Sequence, residues 1–416
     1  MESSESNPTL IGPFRQILTM AGLPEAGPIN DEELLVLDDA GILVHHGKVV
    51  QAGNYGQLLQ KAQENGYALE KIDQPMVLLP GLVDAHTHIC FAGSRANDYA
   101  MRVAGKSYLE IARSGGGILD SVRKTREATV IELVDLLKRR CDRHLAEGVT
   151  TCEVKSGYGL TVEEELKMLE AIQLVNKHHR LDLIPTCLAA HMCPPEHTDT
   201  RAYLKVVLDE LLPQVKEQAL ANRIDIFVEE TAFKEEESLD YLEKAKDMGF
   251  EITVHADQFS TGGSKVAAAV GAVSADHLEA SGDDEIALLK EAGVVATVLP
   301  GASLGLGMHY APARRMLDGG LCLAIASDWN PGSAPMGDLL LQAALLGAAE
   351  KLSMAETLAA ITTRAARALN LTDRGTLAKG QLADMIAFPT NNYKEILYQQ
   401  GKLRPSVIWK RGEIIR

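Results

Sequence analysis

The sequence predicts an α/β protein: a (β/α)8 barrel of the TIM-like kind, with a small β-domain built from the two chain ends. Three observations lead there. Through the middle of the chain, short apolar strands alternate with longer amphipathic segments, the sequence form of repeated βα units and a parallel sheet. Eight such strands can be counted, the number that closes a barrel. The two chain ends share a different style, short β-segments broken by glycines and turns. An open doubly wound sheet would also alternate, but no Gly-rich phosphate turn follows any strand.

In chain order, "LVLDDAGILVHHGKVVQAGN" (35–54) shows β-branched alternation with glycine punctuation, and "YGQLLQKAQEN" (55–65) is a polar helical stretch. The eight barrel strands are "VLLPGLVDAHTH" (77–88), "TTCEVKSG" (150–157), "LDLIPTCLAAH" (181–191), "IDIFVEE" (224–230), "FEITVHAD" (250–257), "AVSADHL" (272–278), "VVATVLPG" (294–301) and "LCLAIASD" (321–328). Between them, segments such as "VIELVDLLKRRCDRHLAEG", "VEEELKMLEAIQLVNKHH" and "EEESLDYLEKAKDMG" carry apolar residues at helical spacing, and several end in a glycine suited to a C-cap. "GTLAKGQLADMIAF" and "PSVIWKRGEIIR" return to strands and turns. The expected boundaries are 1–76 and 378–416 for the end domain and 77–377 for the barrel.

The chain has 416 residues, 46% of them hydrophobic, enough for a large core. Its formal net charge is −16 with no Lys/Arg block, which disfavours nucleic acid and anionic membrane as partners and favours a small molecule. "MESSESNPTLIGP" lacks a basic region followed by an apolar one, and no apolar stretch is long enough to span a bilayer, so a cytoplasmic protein is expected. Six cysteines without CxxC spacing read as reduced, mostly buried thiols, Cys193 in "HMCPPEH" standing apart from the rest.

Chemistry concentrates at the C-terminal ends of the predicted strands, the barrel face on which sites are built. Strand one ends in His86 and His88, strand three in His191, strand five in His255, strand six in His277 and strand eight in Asp328. Period-two geometry puts His86 and His88 on one side of their strand, both facing the barrel mouth. Neutral imidazoles with one carboxylate suit zinc or iron with a position left open for water. The other seven histidines, His45, His46, His144, His178, His179, His197 and His309, fall in loops or helical segments and read as solvated.

"PGLVDAHTH", "HADQ", "SADHL" and "SDWNPGS" resemble the amidohydrolase superfamily, and "FAGSR", "GGGI", "EVKSGYGL", "AAH", "PPE" and "NPGS" narrow the resemblance to its branch that opens an imidazolone ring in histidine degradation. The similarity runs over nearly the whole chain. It implies a β-sandwich made from both ends and one divalent or trivalent metal ion per subunit, zinc or iron, held by His86, His88, His255 and Asp328. It also implies hydrolysis of 4-imidazolone-5-propanoate to N-formimidoyl-L-glutamate. By motif, Arg95 and Ser333 would hold substrate polar groups. Tyr158, His191 and Gln258 would contact the ring or its carbonyl, and Asn330 and Gly332 the product. A homodimer is the expected assembly.

Two-metal relatives often bridge their ions with a carboxylated lysine on strand four, but "IDIFVEE" has none, which favours one metal. Lys155, on strand two, reads as a structural ion-pair partner. Gln258 stands where some members of the branch carry Glu, and an amide orients without shuttling protons. Proton transfer then falls to Asp328 or a histidine, with His277 placed to polarise the carbonyl and His191 to assist. Arg95 suits a propanoate tail because its fork matches a carboxylate, although a plain surface ion pair is its other reading. Two rival functions share the pattern: deamination of a purine or pyrimidine ring, and non-catalytic binding on the same fold. The second expects lost ligands, whereas all are present.

Overall fold

Gly81 divides the apolar run "VLLPGLVD" between two sheets, because a Cβ there would come within 2.2 Å of Thr150 Oγ1. The computed structural model describes residues 7–106, 110 and 113–416. One sheet joins the chain ends. From the N-terminal side come β1 (Thr9–Leu18), β2 (Val36–His45), β3 (Lys48–Asn54), β4 (Ala68–Lys71) and β5 (Val77–Pro80). The other is the barrel: β6 (Leu82–Asp84), β7 (Val149–Lys155), β8 (Asp182–Ala190), β9 (Arg223–Ile226), β10 (Glu251–Ala256), β11 (Ser274–His277), β12 (Val295–Val298) and β13 (Leu323–Ile325). From the C-terminal side, β14 (Met385–Phe388), β15 (Val407–Lys410) and β16 (Glu413–Ile414) complete the end sheet, in the order β16-β15-β14-β5-β1-β2-β3 with β4 also on β1.

β1 organises the end sheet, yet the sequence reading did not single it out. Gly12 and Pro13 interrupt it, and the register with β2 shifts between Ile11 and Phe14. On its other edge, Thr9–Gly12 pairs with β4 and Gln16–Ile17 with β5, so the sheet forks at the proline, which has no N–H to offer a ladder. The leaves fold over a core containing Ile17, Ile42, Leu78 and Met385, with Phe14 edge-on to Trp409 at 6.0 Å. Trp409 Nε1 donates to Glu70 Oε1 at 2.7 Å and ties β15 to β4. The sandwich is therefore one continuous sheet folded over its own core.

Each barrel strand pairs in parallel with the next in sequence. Closure between β13 and β6 comes just beyond the strands, where Asp328 N donates to His86 O at 3.0 Å and His88 N to Trp329 O at 2.9 Å. Three candidate metal ligands thus sit on the closing seam.

Helices cover the barrel where the periodicity places them, at Val130–Ala146, Val162–His178 and Glu235–Asp247 among others. The first starts with a reciprocal cap between Thr129 and Glu132, worth about 1 kcal/mol. It buries Leu133, Leu137, Cys141 and His144 on one stripe. His144 corrects the expectation of a solvated side chain: three residues after Cys141 it continues the apolar face, so it is fully buried, 3.3 Å from Asp84 Oδ2 and edge-on to Trp329. Of the six free cysteines, Cys193 is partly exposed and the rest are buried. No helix among the described residues is long and apolar enough to cross a membrane.

The end sheet docks on the N-terminal ends of β7 and β8. Buried Lys410 donates to Thr150 O at 2.9 Å, Asp182 Oδ2 at 2.8 Å and Asp384 Oδ2 at 2.5 Å, and Arg374 also reaches Asp182. The opposite rim, where the strands end, is left for loops.

Candidate active site

Three imidazoles converge where the barrel opens. His88 Nε2 lies 3.2 Å from His86 Nε2 and 3.3 Å from His255 Nε2. Asp328 Oδ1 lies 3.6 Å from His86 Nε2 and 3.4 Å from His88 Nε2. The three imidazole nitrogens are clustered as closely as a small cation requires, and Asp328 Oδ1 stands beside two of them. Their chemistry agrees. His86 Nδ1 hydrogen-bonds Asp276 Oδ2 at 2.6 Å and His255 Nδ1 is 2.9 Å from Asp225 Oδ2, which keeps the proton on Nδ1 and turns the Nε2 lone pairs inward. Burial holds His86 and His88 well below the usual histidine range and His255 down to about 3, so all three are neutral ligands. Among the described residues, His86, His88 and His255 form the one His/Cys/Asp/Glu group compact enough to hold a metal ion. A divalent ion suits this donor set.

The fourth group depends on unusual backbone. Asp328 has φ 47°, and His277 and Leu278 have φ 88° and 70°, non-glycine residues in the left-handed region at strand exits. Each such residue costs about 1–3 kcal/mol and persists because neighbours hold it, a pattern that collects at functional sites. Asn330 Nδ2 donates to Asp328 Oδ2 at 2.9 Å, leaving Oδ1 for the imidazoles. Burial lifts the Asp328 carboxyl to about 6.

Above the convergence lies a cavity of about 290 Å³ lined by every remaining candidate: Arg95, Tyr158, His191, Gln258, His277, Asn330, Gly332 and Ser333. A buried acceptor or an amide holds each loop. Glu165 takes N–H bonds from Gly157, Gly159 and Leu160, wrapping the segment that presents Tyr158. Glu229 accepts from Phe259 N and Ser260 N just after Gln258. Asp98 accepts from Arg95 Nε at 2.8 Å and from Gly117 N at 2.8 Å. Arg95 is thus both ion-paired and cavity-lining, its Nε occupied by Asp98. Asn330 Oδ1 accepts from Gly332 N and Ser333 N, so this side chain is committed to its own turn.

The two non-ligand histidines differ. His191 Nδ1 bonds Gly157 O at 3.0 Å and burial lowers it to about 4, so its Nε2 is a neutral acceptor. Burial also pulls His277 down, but Glu279, 3.5 Å from Nδ1, together with Asp328 and Asp276 outweighs it and raises His277 above the ordinary value. When protonated, His277 can donate from the cavity wall it forms. The sequence reading missed the carboxylates Asp98, Glu165, Glu229 and Glu279, which belong to no spacing motif, and Arg102, which also lines the cavity.

Comparison with known proteins agrees with this fold. The amidohydrolase family model matches residues 117–414. The imidazolonepropionase of Symbiobacterium thermophilum is 41% identical over 406 residues, covering 96% of this chain and 95% of its own, and that of Bdellovibrio bacteriovorus is 40% identical, covering 95% and 94%. Among solved structures, an adenosine deaminase from Xanthomonas campestris with bound zinc superposes with a TM-score of 0.72 at 18% identity, covering 99% of this chain and 93% of that one. Ochratoxinase from A. niger superposes with a TM-score of 0.71 at 16% identity, covering 99% and 96%. At such identity these two show the shared fold alone. Near-full-length identity to the curated relatives goes further, and the chain belongs to the imidazolonepropionase family of the amidohydrolases.

Proposed function

We propose that this protein hydrolyses the cyclic amide of 4-imidazolone-5-propanoate to N-formimidoyl-L-glutamate, the ring-opening step of histidine degradation. The observation that supports this most is one cavity where a three-histidine cluster, the neighbouring Asp328 carboxylate and a guanidinium suited to a carboxylate tail come together. The ion is zinc or iron, since His₃Asp accommodates both, one per subunit with His86, His88, His255 and Asp328 as ligands. When bound, it supplies a water acidified to a pKa of about 7.

The chain's own groups do the rest. Arg95 takes the propanoate with its terminal nitrogens while Asp98 fixes its Nε. Protonated His277 donates to the carbonyl oxygen as negative charge develops there. Asp328 accepts the water proton as the new C–O bond forms, and returns it to the ring nitrogen as the C–N bond breaks. His191, with an acceptor at Nε2, suits a ring N–H better than the carbonyl, which redirects its assisting role. Tyr158 and Gln258 orient the ring, and the turn built on Asn330, Gly332 and Ser333 closes the product end. A cytoplasmic homodimer acting on this small molecule, without nucleic acid or membrane, accompanies the reading.

Metal content and turnover measured together on His255→Ala and Asp328→Asn test it. His255→Ala is expected to lose both. Asp328→Asn is expected to keep part of its metal, with turnover lowered at least 100-fold by loss of the proton carrier. Full turnover in either variant would refute the ligand and proton assignments.

A further inference from the structure

We propose that Lys155 is a positioning residue that presets all three histidine ligands at once. The inference rests on the metal-centre reading above and adds to it a residue beneath the site that touches no ligand. Lys155 projects from β7 into the barrel and is fully buried. Its Nζ lies 2.7 Å from Glu153 Oε1, 2.8 Å from Asp225 Oδ2 and 3.9 Å from Asp276 Oδ2.

Each of those carboxylates leads to a different ligand. Asp276 Oδ2 holds His86 Nδ1 and Asp225 Oδ2 faces His255 Nδ1. Asp225 Oδ1 also accepts from His255 N at 3.2 Å, so it fixes the backbone as well as the ring. Glu153 reaches the HxH strand: its Oε2 accepts from Thr87 N at 3.2 Å and its carbonyl from Thr87 Oγ1 at 2.6 Å, and Thr87 lies between His86 and His88. Three strands, β7, β9 and β11, the end of β10 and the segment that follows β6 thus meet through one ammonium.

Three carboxylates enclosed in a barrel repel one another, and the attraction of each to a common cation is what brings them to fixed places. Charge balance alone would need Lys155 near the group, not its links to every histidine ligand. Partners of metal-binding imidazoles commonly contribute 10- to 100-fold to metal affinity, and here two such partners, Asp276 and Asp225, share one anchor with the carboxylate that holds Thr87.

The test uses protein loaded with zinc or cobalt(II). Metal release to a chromophoric chelator is timed, and the visible cobalt spectrum is recorded, for wild type and Lys155→Met, with circular dichroism as a check on folding. Release about 10- to 100-fold faster, with a changed cobalt band in a folded variant, is expected. A folded Lys155→Met with wild-type release and spectrum would overturn the proposal. Should that variant fail to fold, Glu153→Gln carries the test, because it touches no ligand ring: release at least threefold faster supports the proposal and a wild-type rate overturns it. A wild type that retains neither cobalt nor zinc would instead overturn the metal centre itself, and this inference with it.

Discussion

His191 and His277 face one cavity, and their surroundings push their basicities in opposite directions. A carbonyl partner and burial keep His191 neutral, while Glu279 outweighs burial to keep His277 charged more readily than usual. With protonated His277 as the donor in the proposed reaction, activity is expected to fall as pH rises through its pKa. Glu279→Gln removes the charge that raises that pKa, so the alkaline limb of the kcat–pH profile should move to lower pH; an unmoved limb would show that His277 is not the titrating donor. Arg95 invites a second test at this scale. Arg95→Met is expected to lose about 2–4 kcal/mol in kcat/KM, with Arg95→Lys losing less and metal retained in both. A substrate analogue without the carboxylate should be indifferent to the change, and equal discrimination by wild type and variant would remove Arg95 from the carboxylate.

At the scale of elements, the loops at the strand ends are held by side chains distant from any recognisable motif. The HxH pair and the positions of His191, His255, His277 and Asp328 were legible because residues at or just past the C-terminal ends of barrel strands gather on one rim. The clamps on those loops were not, since Glu165 and Glu229 look like ordinary acidic residues until the chain folds around them. Nor could spacing show the left-handed backbone at His277 and Asp328, which depends on strands far apart in sequence. β1 was hidden by Gly12 and Pro13, and His144 by a run of charged neighbours. Gly332 makes the dependence measurable. A Cβ there would meet Arg95 Nη1 at 2.3 Å, a flexible group able to yield. Gly332→Ala is therefore expected to leave folding and metal nearly unchanged and raise KM about 10-fold by displacing the guanidinium. An unchanged KM would contradict the packing of Arg95 on this turn.

For the whole molecule, the two ends of the barrel divide the work. Lys410, Asp384, Asp182 and Arg374 fasten the end sheet under β7 and β8, far from the cavity at the strand exits. Lys410→Met strands a buried carboxylate and is expected to cost about 3–5 kcal/mol, read as a lower denaturation midpoint, with kcat/KM of the folded protein unchanged. A matching loss of kcat/KM would couple the two ends. The division was half legible: both chain ends read as β-structure, while the crossing at Gly81 depends on Thr150, a contact no periodicity reveals. Water-dependent opening of an imidazolone ring in this cavity can be followed in heavy-oxygen water. Purified metal-loaded protein given 4-imidazolone-5-propanoate should yield N-formimidoyl-L-glutamate carrying one heavy oxygen in the new carboxylate, while adenosine given in parallel is left intact. Unchanged imidazolonepropanoate, or ammonia released from adenosine instead, would contradict it.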